Sequence, residues 1–275
     1  MRMMKPPLNR CLLLILVLTA VTACSHTQNA APSPNLARIA QNGVLRVGTA
    51  ADMPPLNMLS KTGDPMGLDV DLAKSIAGAM DVELELVIKP FPELLPALEA
   101  GDVDMLISGL TITPERNLKV AFVGPYHITG KALLTKFKSM VAAEDTSKLN
   151  SEAFAYTALE GSTSAELVET LMPRARLVTA KNYTEAVDMV LTNKVDALVA
   201  DYHVCVLSLL RHPNAGLVSL ITPFTYEPLG IAIPPGDAQM INWLSNYLHT
   251  LRESDALIQL KTKWIENPSW LMELK

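Results

Sequence analysis

The sequence predicts an α/β fold made of two similar lobes, and three observations lead there. Short β-rich runs alternate with helical periods from residue 44 onward, and the same alternation starts again near residue 154. One six-residue run also recurs: Val103-Asp104-Met105-Leu106-Ile107-Ser108 can be laid over Val195-Asp196-Ala197-Leu198-Val199-Ala200. Strands that alternate with helices come together as a mainly parallel sheet with the helices on its faces.

In the first series, residues 45–50 read as a strand. Leu68, Leu72, Ile76 and Met80 then recur every four residues as the apolar stripe of a helix, with Asp64 or Asp69 as its expected start. Residues 82–88 form the next strand, 92–100 a helix and 103–108 another strand. Thr113-Pro114-Glu115 combines an N-cap, a first-turn proline and an acidic first turn, so a helix begins there. The second series runs strand 154–159, helix 164–172, strand 177–179, helix 184–191 and strand 195–200. Near the C-terminus Trp243, Leu244, Tyr247, Leu248, Leu251 and Trp264 are spaced as amphipathic helices, expected to pack on the first lobe.

Composition sets the class. With 275 residues, 49% hydrophobic and 19% charged, the chain is neither disordered, nor collagen-like, nor a disulfide-dense miniature. Arg2, Lys5 and Arg10 flank or precede the apolar run 11–18, which leads through small residues to Cys24. That stretch reads as a targeting segment, residues 1–23, too short for a membrane span of about 20 apolar residues. Val21-Thr22-Ala23-Cys24 is similar to a bacterial lipobox, in which Cys24 becomes the lipidated first residue; ordinary signal-peptidase cleavage is the alternative. Residues 24–35 then form a flexible tether, rich in Ser, Thr, Asn, Ala and Pro.

Without residues 1–23 the chain keeps 20 basic against 28 acidic residues, a formal charge of −8. An acidic, exported chain is a poor candidate for nucleic acid. Cys11 leaves with the targeting segment and Cys24 is the expected anchor, so Cys205 has no intramolecular partner and reads as a small buried apolar residue. Asp201, His203 and Cys205 do not share a helical face, and no metal or cofactor is expected.

In open α/β sheets ligands bind beyond the carboxyl ends of the strands. That rule selects Ser108 to Thr111, Gly161 to Ser164, and Asp201. Ser108-Gly109-Leu110-Thr111 offers hydroxyls, and Arg116 brings a planar fork of donors matched to a carboxylate. Gly161-Ser162-Thr163-Ser164 precedes a helix and supplies a second anion-favouring group of donors. Asp201 stands ready for an ammonium. Together these residues describe a pocket for a small zwitterion, although each alone is equally well a solvated or capping residue.

From Gly43 to Asn267 the chain resembles the family 3 extracellular solute-binding proteins, the amino-acid receptors of bacterial ABC importers. The likeness is carried by residues 43–49 (GVLRVGT), Pro54-Pro55-Leu56, residues 67–73 (GLDVDLA), 95–104 (LPALEAGDVD) and 111–116 (TITPER). Residues 122–126, Gly161-Ser162-Thr163 and Lys194-Val195-Asp196-Ala197 complete it. The resemblance implies a type II periplasmic-binding-protein fold, with two lobes joined by a two-stranded hinge and a ligand cleft between them. Lobe 1 would hold residues 36–131 and 230–275, and lobe 2 residues 132–229. It further implies that Arg116 pairs with the ligand α-carboxylate, helped by Gly109, Thr111, Ser162 and Thr163, and that Asp201 takes the α-ammonium.

The departures lie at the side-chain end of the ligand. Met53 and Leu56 stand where many members have aromatics, Phe91 keeps a wall position, Leu159 joins them, and Ala50 replaces an acid that contacts basic ligands in some members. An unpaired buried charge costs several kcal/mol, so a neutral ligand side chain is expected. The implied protein is a monomeric receptor outside the cytoplasm, in the periplasm or at the cell surface. It would be tethered to the membrane through Cys24 and deliver its ligand to an importer permease by lobe closure. The alternative on the same fold is a cyclohexadienyl dehydratase acting on prephenate or arogenate. Its acid would lie two positions after the Thr of the Gly-x-Thr turn, where this chain has Ala165.

Overall fold

The computed structural model describes residues 33–142, 146–220 and 222–274. The targeting segment, the lipobox and the start of the tether lie outside them.

Lobe 1 opens with helix α1 (Pro34–Asn42), capped by Ser33, whose hydroxyl accepts the N–H of Leu36. Strand β1 (Val44–Thr49) follows, then the short hairpin β2 (Met58–Leu59) and β3 (Pro65–Met66). Next come α2 (Leu68–Ala79), β4 (Glu83–Ile88), α3 (Phe91–Ala100), β5 (Met105–Leu106), α4 (Pro114–Asn117) and β6 (Ala121–Thr129). Lobe 2 consists of β7 (Lys131–Thr135), α5 (Lys138–Val141), β8 (Ala155–Leu159), α6 (Thr163–Leu171), β9 (Arg176–Ala180), α7 (Tyr183–Leu191), β10 (Ala197–Asp201), α8 (Tyr202–Arg211) and β11 (Val218–Ser219). The chain then returns to lobe 1 as β12 (Glu227–Ile233), α9 (Ala238–Glu253) and α10 (Ala256–Lys261).

Each lobe carries one five-stranded sheet, ordered β4-β1-β5-β12-β6 in lobe 1 and β11-β7-β10-β8-β9 in lobe 2. β1 pairs in parallel with β4 and β5, and β8 in parallel with β9 and β10. The strands that change lobe pair antiparallel: β12 with β6, and β7 with β10. As expected, α9 packs in lobe 1, against β6. One cluster of buried apolar residues runs from Val47, Leu72 and Leu244 of lobe 1 to Leu198, Val190 and Cys205 of lobe 2. A smaller cluster, with Leu133, Tyr156, Val168 and Val199, covers the opposite face of the second sheet. Leu198 and Val199 fall in different clusters because neighbouring strand residues point to opposite faces. Cys205 is wholly buried, and burial pushes its thiol up to about 12.

Two details differ from the sequence reading. Neither Asp64 nor Asp69 caps α2, whose N-cap is Gly67. Asp69 is instead buried inside the first turn, where its carboxylate accepts from the Tyr126 hydroxyl and from Asn57 Nδ2, each at 2.7 Å. The strand expected over 103–108 shortens to β5. Side chains supplement the backbone bonds at its ends: Asp104 Oδ2 accepts the N–H of Arg46 and Ser108 Oγ the N–H of Ala50, both at 2.9 Å.

The two crossings between lobes run side by side. Lys131 N–H donates to Thr225 Oγ1, and the Phe224 N–H to the Lys131 carbonyl, both at 2.9 Å. Gly130 permits this approach, because a Cβ there would collide with the Thr225 carbonyl oxygen.

Candidate functional site

The facing strand ends meet around a chain of charged and hydroxyl groups. Thr113 caps α4 by accepting the Arg116 N–H at 3.2 Å, and this short turn sends the Arg116 side chain back between the lobes. Its Nη1 donates to the Thr111 carbonyl at 2.9 Å and its Nη2 crosses to the Gly161 carbonyl of lobe 2 at 3.1 Å. The Phe91 ring centre lies 5.9 Å from the guanidinium carbon, within cation–π range. Arg116 is only 7% exposed, and burial lowers its pKa while Glu166, Glu227 and Asp201 act in the opposite sense. Among the described residues its recorded hydrogen-bond acceptors are carbonyl oxygens, and no carboxylate lies within ion-pair distance of it. A buried cation of this kind has donors and charge left for an anionic guest.

Thr111 and Thr163, one from each lobe, place their hydroxyl oxygens 3.5 Å apart. Both hydroxyls donate to Glu227 Oε2, at 2.9 and 3.0 Å, and Thr225 donates to Glu227 Oε1 at 3.0 Å. Lys131, 2% exposed, stands between two acids: its Nζ is 3.0 Å from Asp201 Oδ2 and 3.5 Å from Glu227 Oε2. The register dictates the first of these contacts, since Lys131 and Asp201 are direct cross-strand partners in β7 and β10. The second oxygen of Asp201, Oδ1, is buried and has no close hydrogen-bond donor. Tyr183, the first residue of α7, packs beside it, its hydroxyl held well above its ordinary pKa by burial, by Asp201 and Asp52, and by a hydrogen bond to the Asp201 carboxylate.

The structure thus brings Arg116, Thr111, Thr163 and Asp201 into one network. Gly109 contributes a backbone N–H to Asp69 nearby. Ser162 serves its own helix: its hydroxyl accepts from Ala165 N–H at 3.3 Å and donates to the Leu159 carbonyl at 2.6 Å. Of the residues read as the side-chain wall, Met53 is 3% exposed, Phe91 9%, and Leu56 and Leu159 lie within the apolar core at 0% and 1%. Ala165 is buried in the first turn of α6. Beside the network lies an interlobe cavity of about 450 Å³, lined by Asp52, Pro54, Tyr183, Val187, Val204 and Ser208 among others. Asp52 Oδ2 receives the Tyr183 N–H across the lobes at 3.4 Å, Oδ1 is unpartnered, and burial pushes the carboxyl up to about 6.

Lys131, Glu227, Asp52 and Tyr183 were not singled out from the sequence. Lys131 and Glu227 each open a run of apolar residues, which is a visible signal, but their meeting depends on the antiparallel pairing of Glu227 with Thr129, two residues before Lys131.

The chain is 29% identical over 251 residues to a probable histidine-binding protein of Neisseria gonorrhoeae, covering 89% of this chain and 90% of that one. It is 24% identical over 253 residues to the cyclohexadienyl dehydratase of Pseudomonas aeruginosa, covering 92% and 94%. In three dimensions it is similar to the putative binding component of an ABC transporter from Wolinella succinogenes complexed with lysine. That match has a TM-score of 0.78 at 35% identity and covers 84% of this chain and 99% of that one. The family model for bacterial extracellular solute-binding proteins, family 3, matches residues 45–267. This chain belongs to that family.

Proposed function

We propose that the protein captures a small zwitterion, an amino acid, and hands it to an ABC importer. One observation carries this reading. Arg116 is a buried cation with no carboxylate partner among the described residues, and Asp201 carries a buried, unpartnered oxygen; the two come from different lobes of one network. A guest whose carboxylate reaches Arg116 and Thr163 and whose ammonium reaches Asp201 Oδ1 touches both lobes. It therefore binds the closed arrangement better than an open one and shifts the balance by that difference. Closure is the state a permease recognises. The names of the relatives, which include histidine-binding and lysine-bound proteins, support an amino acid as the guest.

A neutral side chain suits the apolar wall formed by Met53 and Phe91, and the Asp52 carboxylate at the neighbouring cavity is the group a basic side chain would have to reach. Family membership places the protein outside the cytoplasm, and a lipid on Cys24 would keep a monomeric receptor beside its permease. A dehydratase role is disfavoured by Ala165, and incubation with prephenate or arogenate is expected to yield no product.

The test is a thermal-shift screen against the standard amino acids. A ligand at 100 times its Kd adds about 2.7 kcal/mol of stability. Arg116→Ala is expected to remove that gain; a variant that keeps it whole would overturn the carboxylate role of Arg116.

A further inference from the structure

Lys131 and Glu227 sit where the mechanism above needs nothing more, and their partners are the ones an amino acid would claim. Glu227 Oε2 holds the hydroxyls of Thr111 and Thr163, and Lys131 Nζ holds Asp201. We infer that this buried pair, one residue from each interlobe crossing, determines the net charge and the affinity of the guest. The inference rests on the proposed amino-acid site.

The argument starts from proton counting. Each threonine hydroxyl has one proton to donate, so it cannot serve Glu227 and a guest carboxylate together. The guest's carboxylate enters by exchange, as Glu227 releases the two hydroxyls. Glu227 keeps other partners when it does so: Thr225 donates to Oε1 at 3.0 Å and Lys131 Nζ stands 3.5 Å from Oε2. The ammonium end differs. Lys131 occupies Asp201 Oδ2, while Oδ1 is buried without a close donor and has the Tyr183 hydroxyl beside it, so the guest's ammonium adds at Oδ1 without displacing Lys131.

Charge balance sets the specificity. Within the network itself Arg116 and Lys131 oppose Asp201 and Glu227, four buried groups whose charges sum to zero, with the Asp52 carboxylate set apart at the adjoining cavity. A zwitterion with a neutral side chain preserves that balance, whereas a guest with net charge leaves one charge uncompensated in a buried site. Neutralising Glu227 as glutamine leaves the site with one excess positive charge and loosens its hold on the two hydroxyls, since an amide oxygen accepts from them less strongly than a carboxylate. Neutralising Lys131 leaves one excess negative charge.

The experiment measures Kd by calorimetry for L-glutamine, L-glutamate and L-lysine, similar in size and differing in net charge, on the wild type, Glu227→Gln, Lys131→Met and the double variant. The wild type is expected to prefer glutamine. Glu227→Gln should bind glutamine about tenfold more tightly and shift the glutamine-to-glutamate ratio at least tenfold toward glutamate. Lys131→Met should shift the glutamine-to-lysine ratio toward lysine. The double variant restores neutrality and should recover the wild-type order with the tighter glutamine binding; losing both buried charges together, it is also the variant best placed to fold.

If neither single variant changes the charge preference, or if the folded double variant binds glutamine no more tightly than wild type, the inference is wrong. A wild type that binds none of the standard amino acids in the thermal screen would refute the amino-acid reading itself. Binding that depends on Arg116 without any charge shift at Lys131 or Glu227 would refute only this inference.

Discussion

In lobe 1, Val47 of β1 pairs with Met105 of β5, and the Asp104 carboxylate accepts the Arg46 N–H. In lobe 2, Tyr156 of β8 pairs with Ala197 of β10, and the Asp196 carboxylate accepts the Ala155 N–H. The helix before each aspartate begins on an aromatic residue, Phe91 or Tyr183, and is followed by a left-handed residue, Gly101 at φ 77° or Asn193 at φ 57°. Residue for residue the same unit has been built twice. The copies diverge at the strand ends that face the cleft: lobe 1 continues through Ser108 to Thr111 and Arg116, whereas β10 ends on Asp201 and turns at once into α8. A repeated scaffold delivers two equivalent strand ends to one place, and the residues grafted there make one end cationic and the other anionic.

The largest expected effect separates the two aspartates. Asp104 is fully buried and also holds Arg38 and Arg46 at 2.6 Å, while Asp196 meets no cation within ion-pair distance among the described residues. Asp104→Ala should cost about 3 kcal/mol, because it removes the shared partner of two half-buried arginines and leaves a backbone N–H without its acceptor. Asp196→Ala loses one capping bond and should cost about 1 kcal/mol. Urea unfolding at pH 7.5 measures both; equal losses would show that the arginines around Asp104 contribute nothing.

Protonation should pull the lobes in opposite directions. In lobe 2, burial lowers His203 from 6.5 to about 3, and its Nε2 is shut off from solvent without a partner. The unfolded chain takes up that proton first, so stability falls as pH drops through 6.5 toward 3. In lobe 1, burial raises Asp69 and Asp52 from 3.8 to about 6, so the folded form takes up those protons first, and stability falls as pH rises from 3.8 through 6. His127, lowered to about 4 chiefly by burial, offsets part of the lobe 1 gain on acidification. Between pH 7 and 4.5, hydrogen exchange corrected for intrinsic rates should show protection in β10 and α8 falling by about 2 kcal/mol relative to β1 and α2. His203→Leu should remove the lobe 2 loss and leave only the change that Asp69, Asp52 and His127 cause in lobe 1, and a uniform change in both lobes would contradict the assignment.

Much of this was legible in the sequence wherever the signal was local. The helix over 68–79 follows from its apolar period, those read over 92–100 and 184–191 are found at 91–100 and 183–191, and Arg116 and Asp201 stand out by their place at strand ends. Thr163 was legible for the same reason. What escaped was set by contacts between distant segments. Lys131 and Glu227 become site residues only through the pairing of β7 with β10 and the closeness of the two crossings. Asp69 looked like a cap but is buried, because Tyr126 and Asn57 arrive from elsewhere to hold it. The hydroxyl of Ser162, read as a ligand donor beside Thr163, is engaged by the Ala165 N–H and the Leu159 carbonyl, a local cap that the sequence reading also allowed.

The smallest effect tests whether the turns after α3 and α7 are the same device. A Cβ at Gly101 would meet nothing within 4 Å, so Gly101→Ala probes backbone strain alone and should cost about 1 kcal/mol. Asn193→Ala should cost the same, since alanine tolerates the left-handed region less well than asparagine and the bond from Lys136 Nζ at 3.1 Å lies at the surface. Asn193→Gly relieves that strain while adding freedom to the unfolded chain, and should stay within about 0.5 kcal/mol of wild type. A loss at Asn193→Gly larger than at Asn193→Ala would mean that the asparagine side chain, and not its backbone angle, closes α7. The parallel with Gly101 would then be one of shape without shared cause.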